Sequence, residues 1–201
     1  MFENIILNTS KNIVGNLDKI KLTLAAIICE GSILIEDYPG SGKTTFAKAI
    51  TSSLGLNFKR IQFTSDLLPS DVLGFNILSD DKLKFQKGPI FTNIVLADEL
   101  NRGSPKAQSA FLEAMEEKNV TIDGESYNLP EPFFVIATQN PMDTSGTSSL
   151  PDSQLDRFMI SYSLSDLDQK EKILMLKTNI SFSNSSSEAI NWSQINNKKN
   201  E

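Results

Sequence analysis

EDYPGSGKTT, residues 36–45, decides how the rest of this chain is read. It follows the phosphate-binding pattern G-x-x-x-x-G-K-[ST], except that Asp37 stands where the first glycine belongs. Such a loop needs backbone N–H groups converging on an anion, a helix N-terminus behind them and a cation. Gly40 and Gly42 let the backbone wrap closely, with Pro39, Ser41 and Thr45 completing the turn. Lys43 is placed to neutralise phosphate charge, and the Thr44 hydroxyl to hold Mg²⁺. The context fits, because SILIE (32–36) reads as a buried strand and TTFAKAI (44–50) as a helix. The substitution at 37 has a physical reading. Asp tolerates the positive φ that a strand end can demand. Its carboxylate must also turn away from phosphate, since like charges about 7 Å apart repel by roughly 2 kcal/mol at an effective dielectric near 20. An N–H group or a basic side chain is its expected partner.

Apolar strands recur along the chain with helices between them. NFKRIQF (57–63), IVLADE (94–99), FFVIAT (133–138) and ISYSL (160–164) are expected strands, and residues 17–29 and 106–117 expected helices. A mostly parallel sheet covered on both faces follows. Two hairpins interrupt it, GFNILSDDKLKF (74–85) around a Ser-Asp-Asp turn and VTIDGESY (120–127) around Asp123-Gly124.

IVLADE places two acids after four apolar residues. Asp98 is suited to Mg²⁺ and Glu99 to polarising a water. ATQNP (137–141) ends the next strand, where Asn140 can orient that water or simply cap the turn before the proline. Arg157, in LDRF (155–158), offers a planar fork for phosphate charge, or a surface ion pair with Asp156 or a neighbour.

Composition limits the alternatives. The 201 residues suffice for one α/β domain with a substantial core. A net charge of −6 argues against general affinity for nucleic acid. Histidine is absent and Cys29 is the one cysteine, which excludes an intrachain disulfide and any His-based catalysis. Cys29 follows the apolar run LAAII (24–28) and is expected to be a buried thiol. The longest apolar stretch, 22–35, is broken by Glu30-Gly31 and too short to span a bilayer, and the opening MFEN lacks a basic leader. A cytoplasmic location is expected. From Asn179 onward Ser and Asn dominate, so the tail reads as loose chain.

The ordered series EDYPGSGKT (36–44), FKRIQFTSDLLPSD (58–71), KGPIF (87–91), LADELNR (96–102), KAQSAFLEAMEE (106–117), PEPFFVIATQNP (130–141) and LPDSQLDRF (150–158) resembles a MoxR-type AAA+ ATPase. The resemblance covers roughly residues 13–175. It implies a P-loop core at 1–165 whose five parallel strands lie in the order 5-1-4-3-2. It also implies Mg-ATP as cofactor, with Asp98 and Glu99 as the Walker B pair and Asn140 as sensor 1. Arg157 takes the place of a finger reaching a neighbouring subunit in a homo-oligomeric, typically hexameric, ring. Val14-Gly15 takes that of a backbone segment against the adenine. The activity implied is ATP hydrolysis coupled to chaperone-like remodelling of a client protein. Ser65 and Ser148-Ser149 depart from the family pattern, and residues 166–201 are expected to hold only a remnant of its helical lid. Two other readings stay open. One is a lidless nucleotide-binding module with little hydrolysis, and the other a P-loop phosphotransferase acting on a small molecule.

Overall fold

The computed structural model describes residues 2–10, 13, 15–38, 40–79, 82–141 and 150–165. Expectations for the tail, the lid remnant, Val14 and Pro39 lie outside them. In chain order the elements begin with α1 (Phe2–Ser10), α2 (Leu17–Ile28), β1 (Ser32–Glu36), α3 (Lys43–Leu54) and β2 (Phe58–Gln62). There follow α4 (Pro69–Leu73), the hairpin β3 (Gly74–Ser79) and β4 (Lys82–Lys87), then β5 (Ile94–Asp98) and α5 (Pro105–Glu117). The hairpin β6 (Asn119–Ile122) and β7 (Glu125–Asn128) precedes β8 (Phe134–Gln139), the short α6 (Asp152–Leu155) and β9 (Phe158–Tyr162).

The main sheet runs β2-β5-β8-β1-β9, with every neighbouring pair parallel. Numbered along the core strands alone, that is the expected order 5-1-4-3-2. Strand alternation sorts the side chains into two layers. Leu34, Val95, Ala97, Val135 and Ala137 pack with Ala107, Phe111, Leu112 and Met115 of α5. Ile33, Ile35, Ile94, Leu96, Phe134 and Ile136 pack with Ile20, Leu24 and Ile27 of α2 and Phe46 and Ile50 of α3. β5 and β8 are buried at every residue, which explains their unbroken apolar runs. Phe63 meets Phe111 edge-on at 5.3 Å, locking the end of β2 to α5.

Both hairpins stand where the sequence puts them. At the second, Asp123 (φ 51) and Gly124 (φ 84) are both left-handed, as a two-residue turn requires. At the first, the cross-strand pair Leu78 and Leu83 is exposed.

Two readings change here, and two helices are additions to the expected elements. Cys29 is exposed, because it caps α2 off the Ile20–Leu24–Ile27 stripe that faces the sheet. The last strand starts at Phe158, two residues earlier than its apolar pattern indicates, because Phe158 pairs with Ser32 through an irregularity that puts Ile160 beside Ile33. α1 has no clear apolar period, yet it buries Ile5 and joins α3 through a Thr9–Ser53 hydroxyl hydrogen bond of 2.9 Å. α4 is likewise unforeseen; Pro69 opens it and the Asp71 carboxylate accepts from the Leu68 N–H at 2.9 Å. Truncating Phe111 to Ala empties the contact with Phe63 and is expected to cost about 3–5 kcal/mol of unfolding free energy, read by urea denaturation.

Candidate nucleotide site

All five strands point their carboxyl ends to one edge, where a twisted parallel sheet leaves a crevice. There β1 runs into the glycine loop and the loop into α3. Gly42 (φ 87) is the N-cap and carries no side-chain cap, and the first intrahelical bond is Phe46 N–H to Gly42 C=O at 2.9 Å. The N–H groups of residues 43–45 therefore have no partner within the helix and face outward with the positive end of its dipole. Gly40 (φ 84) and Gly42 take left-handed conformations, and a Cβ on either would meet nothing within 4 Å. Conformation, and not crowding, requires glycine at both positions. Lys43 Nζ donates to the carbonyls of Asp37 and Tyr38, at 2.9 Å each, which stretches its ammonium along the loop.

Asp37 is explained by its surroundings. Its backbone is not left-handed, contrary to the expectation. Its N–H reaches Gln139 C=O at 3.0 Å and so prolongs the β1–β8 ladder by one residue. The side chain is buried, with Oδ2 accepting from the Leu164 N–H at 2.8 Å. Oδ1 accepts from the Tyr38 N–H at 3.2 Å and from the Ser165 hydroxyl. Burial pushes the carboxyl upward, but the donors from Ser165 and Leu164 outweigh it and hold it below the ordinary 3.8. The carboxylate thus faces N–H and O–H groups, as charge repulsion requires, and ties the loop to the chain leaving β9. Asn16 Nδ2 reaches the Leu164 carbonyl at 3.3 Å, so left-handed Gly15 (φ 71) beside it is anchored to the same residue.

The end of β5 faces this loop. A cavity of about 360 Å³ is lined by Gly40, Gly42, Lys43, Thr44, Thr45, Arg60, Gln62, Asp98 and Glu99. The Thr138 hydroxyl donates to Asp98 Oδ1 at 2.6 Å, and Thr138 Oγ1 in turn accepts from the Glu99 N–H at 2.9 Å. Thr138 thereby sets both acids from the neighbouring strand. Asp98 Oδ2 accepts from Arg60 Nε at 2.9 Å and Nη2 at 2.6 Å. Glu99 is left-handed (φ 54, ψ 48), and its Oε2 accepts from Gln62 Nε2 at 2.8 Å and Arg102 Nη1 at 2.9 Å.

The structure therefore gathers Lys43, Thr44, Thr45, Asp98 and Glu99 around one cavity. Half-buried Ser41 lies within the loop itself, and half-buried Asn140 directly follows β8. Arg157 is elsewhere. It precedes the start of β9, toward the opposite edge of the sheet, and its Nη1 pairs with Glu116 Oε2 at 2.8 Å. That is the surface ion pair its sequence allows, with Glu116 of α5 in place of Asp156. Arg60, Gln62, Arg102 and Thr138 escaped the sequence reading. The polar residues alternating along KRIQ (59–62) of β2 were the available signal for the first two.

The donors fit the group that the loop suggests. Thr44 and Asp98 offer hard oxygen ligands suited to Mg²⁺, and the Lys43 ammonium with the outward N–H groups suits polyphosphate.

Comparison with known proteins agrees with this geometry. Residues 32–160 match the model of the ATPase family associated with various cellular activities (AAA). The uncharacterized protein YeaC of Bacillus subtilis is 56% identical over 148 residues, which are 73% of this chain and 46% of that protein. Chaperone MoxR1 of Mycobacterium tuberculosis is 40% identical over 159 residues, 78% of this chain and 42% of its own. A Cytophaga hutchinsonii crystal structure described as an ATPase superposes with TM-score 0.87 at 38% identity, covering 99% of this chain and 62% of that one. The chain spans less than half the length of these curated relatives. It belongs to the AAA ATPases, in their MoxR branch. No helix among the described residues is long and apolar enough to cross a membrane.

Because Asp37 sits below 3.8, its stabilising contribution is full above about pH 4 and is lost as pH falls through the folded value. Asp37→Ala leaves the Leu164 N–H buried without its acceptor. It is expected to cost on the order of 1–3 kcal/mol at pH 7, a difference that shrinks below pH 4 in thermal melts across that range.

Proposed function

We propose that this chain binds ATP with Mg²⁺ and hydrolyses it, and that the energy drives remodelling of a partner protein. The observation that carries the reading is the meeting of Lys43 and Thr44 with Asp98 and Glu99 around one cavity, at a helix N-terminus without a side-chain cap. Thr44 and Asp98 hold the cation, which when bound offsets charge on the β- and γ-phosphates. The backbone from Pro39 to Thr45 cradles the phosphates, and Lys43 leaves the loop carbonyls to meet them. Glu99 polarises the attacking water and accepts its proton, while Asn140 aligns that water from the end of β8. By family resemblance Val14 and Gly15 meet the base, and for Gly15 the role is supported by the anchoring of neighbouring Asn16 to Leu164, which also binds the phosphate loop through Asp37.

Arg157 supplies transition-state charge to a neighbouring copy and not to its own cavity. Its distance from that cavity, on Glu116, favours this assignment. A homo-oligomeric ring, hexameric by family resemblance, is the assembly that such a residue serves. The client is a protein, by likeness to a relative named as a chaperone.

A second reading has an observation in its favour. Glu99, the group that would polarise water, has its Oε2 held by both Gln62 and Arg102, which favours a nucleotide-binding module with little turnover of its own. Steady-state ATPase assays against protein concentration separate the two. Hydrolysis is expected to rise in specific rate with concentration and to fall by about 10²–10⁴ in Glu99→Gln, with nucleotide binding kept. Lys43→Ala is expected to weaken ATP binding itself at least about tenfold, read with a fluorescent analogue. A wild type that binds ATP but turns over no faster than Glu99→Gln supports the binding module.

A further inference from the structure

Asp98, to which the proposed function gives the metal, is already held by a cation of the chain's own. Arg60 places both Nε and Nη2 on Oδ2, and Thr138 occupies Oδ1. Both carboxylate oxygens are thus engaged in a residue that is itself almost buried, at 7% exposure. The arginine differs. Its side chain is about half exposed, at 47%, so it can turn outward without opening the core. Gln62 Oε1, two residues on and facing the same cavity, accepts from the same Nη2 and offers the guanidinium a second anchor.

We infer that Arg60 competes with the divalent cation for Asp98, so that the carboxylate takes a metal only together with the phosphates that draw Arg60 away. The inference rests on reading the cavity as a Mg-ATP site. The charge balance supports it. Of the charged residues lining the cavity, Lys43 and Arg60 match Asp98 and Glu99, leaving no surplus negative charge for a lone divalent cation. Among the described residues no cluster of three or more His, Cys, Asp or Glu side chains exists to offset the loss of the ion pair. A polyphosphate changes that balance. It brings several negative charges beside a guanidinium whose planar fork suits phosphate oxygens as well as carboxylate. Arg60 then passes from Asp98 to the nucleotide, and Asp98 becomes available to the cation that the nucleotide carries. Arg60 is on this account a positioning residue that couples metal entry to nucleotide entry.

The test is Mn²⁺ binding to the full chain freed of nucleotide, measured by loss of the free-ion EPR signal, with thermal melts to confirm folding. Arg60→Gln is expected to tighten Mn²⁺ binding at least about tenfold over wild type, because one opposing charge beside Asp98 is gone. Adding Asp98→Asn is expected to return the affinity to the wild-type level. Arg60→Lys, which keeps the charge but loses the paired N–H fork, is expected to tighten binding about threefold, and it serves if the glutamine variant does not fold. Unchanged Mn²⁺ affinity in a folded Arg60 variant, or tightening that survives Asp98→Asn, overturns the inference. Binding of a fluorescent ATP analogue with Mg²⁺ to the wild type distinguishes the two levels. If it binds and the Arg60 variants leave Mn²⁺ unaffected, only the competition falls. If it does not bind, the reading of the cavity falls too.

Discussion

The central strands of this parallel sheet are buried on both faces, which leaves their charged chemistry to the edge where their carboxyl ends emerge. β5 and β8 are covered along their whole length, so a charge placed anywhere earlier in either strand would be stranded in the core. Asp98 is the last residue of β5, and Asn140 follows the last of β8. The glycine loop leaves β1 at the same edge, which puts helix α3 with its outward N–H groups opposite the acids. Strand order then decides which groups meet. With β1 beside β8 and β8 beside β5, Thr138 reaches both Asp98 and the N–H of Glu99.

Charge balance at that edge follows from burial. Asp98 and Glu99 are adjacent acids, and each is matched by one guanidinium, Arg60 from β2 and Arg102 from the turn after β5. Lys43 rests on the loop carbonyls of Asp37 and Tyr38, with no carboxylate partner among the described residues. Asp37 uses neither solution. It is satisfied by hydrogen-bond donors alone, which keeps its charge away from the anion site and fastens the loop to Leu164 and Ser165. The loop is therefore supported from one side by β8 and from the other by the chain that continues from β9.

Where sequence reading misjudged a residue, the missing quantity was a helix end in the case of Cys29 and otherwise a neighbour distant in the chain. Cys29 follows an apolar run and looks buried, yet the helix ends one residue before it and its direction points off the packed stripe. Asp37 suggested a left-handed backbone because glycine is usual there, but its N–H continues a ladder with Gln139 that demands extended geometry. Arg60 and Gln62 look like ordinary polar residues on an outer strand until β2 is set beside β5. Arg157 allowed two roles, and only packing α5 near the start of β9 shows its guanidinium on Glu116.

The sequence by itself determined the alternation of strands and helices, the two hairpins, the glycine loop and the acidic pair. These are local patterns of period, turn chemistry and residue type, each legible within ten or so residues. The strand order was legible too, although through family resemblance and not through any local pattern. The tertiary structure decided which groups hold which. Thr138 on the two acids, Arg60 on Asp98, Gln62 and Arg102 on Glu99, and Leu164 and Ser165 on Asp37 are mostly contacts between residues dozens of positions apart or more. Such pairings depend on distances of a few ångströms between separate elements, and hydrogen bonding is decided at that scale, where one-dimensional pattern carries no information.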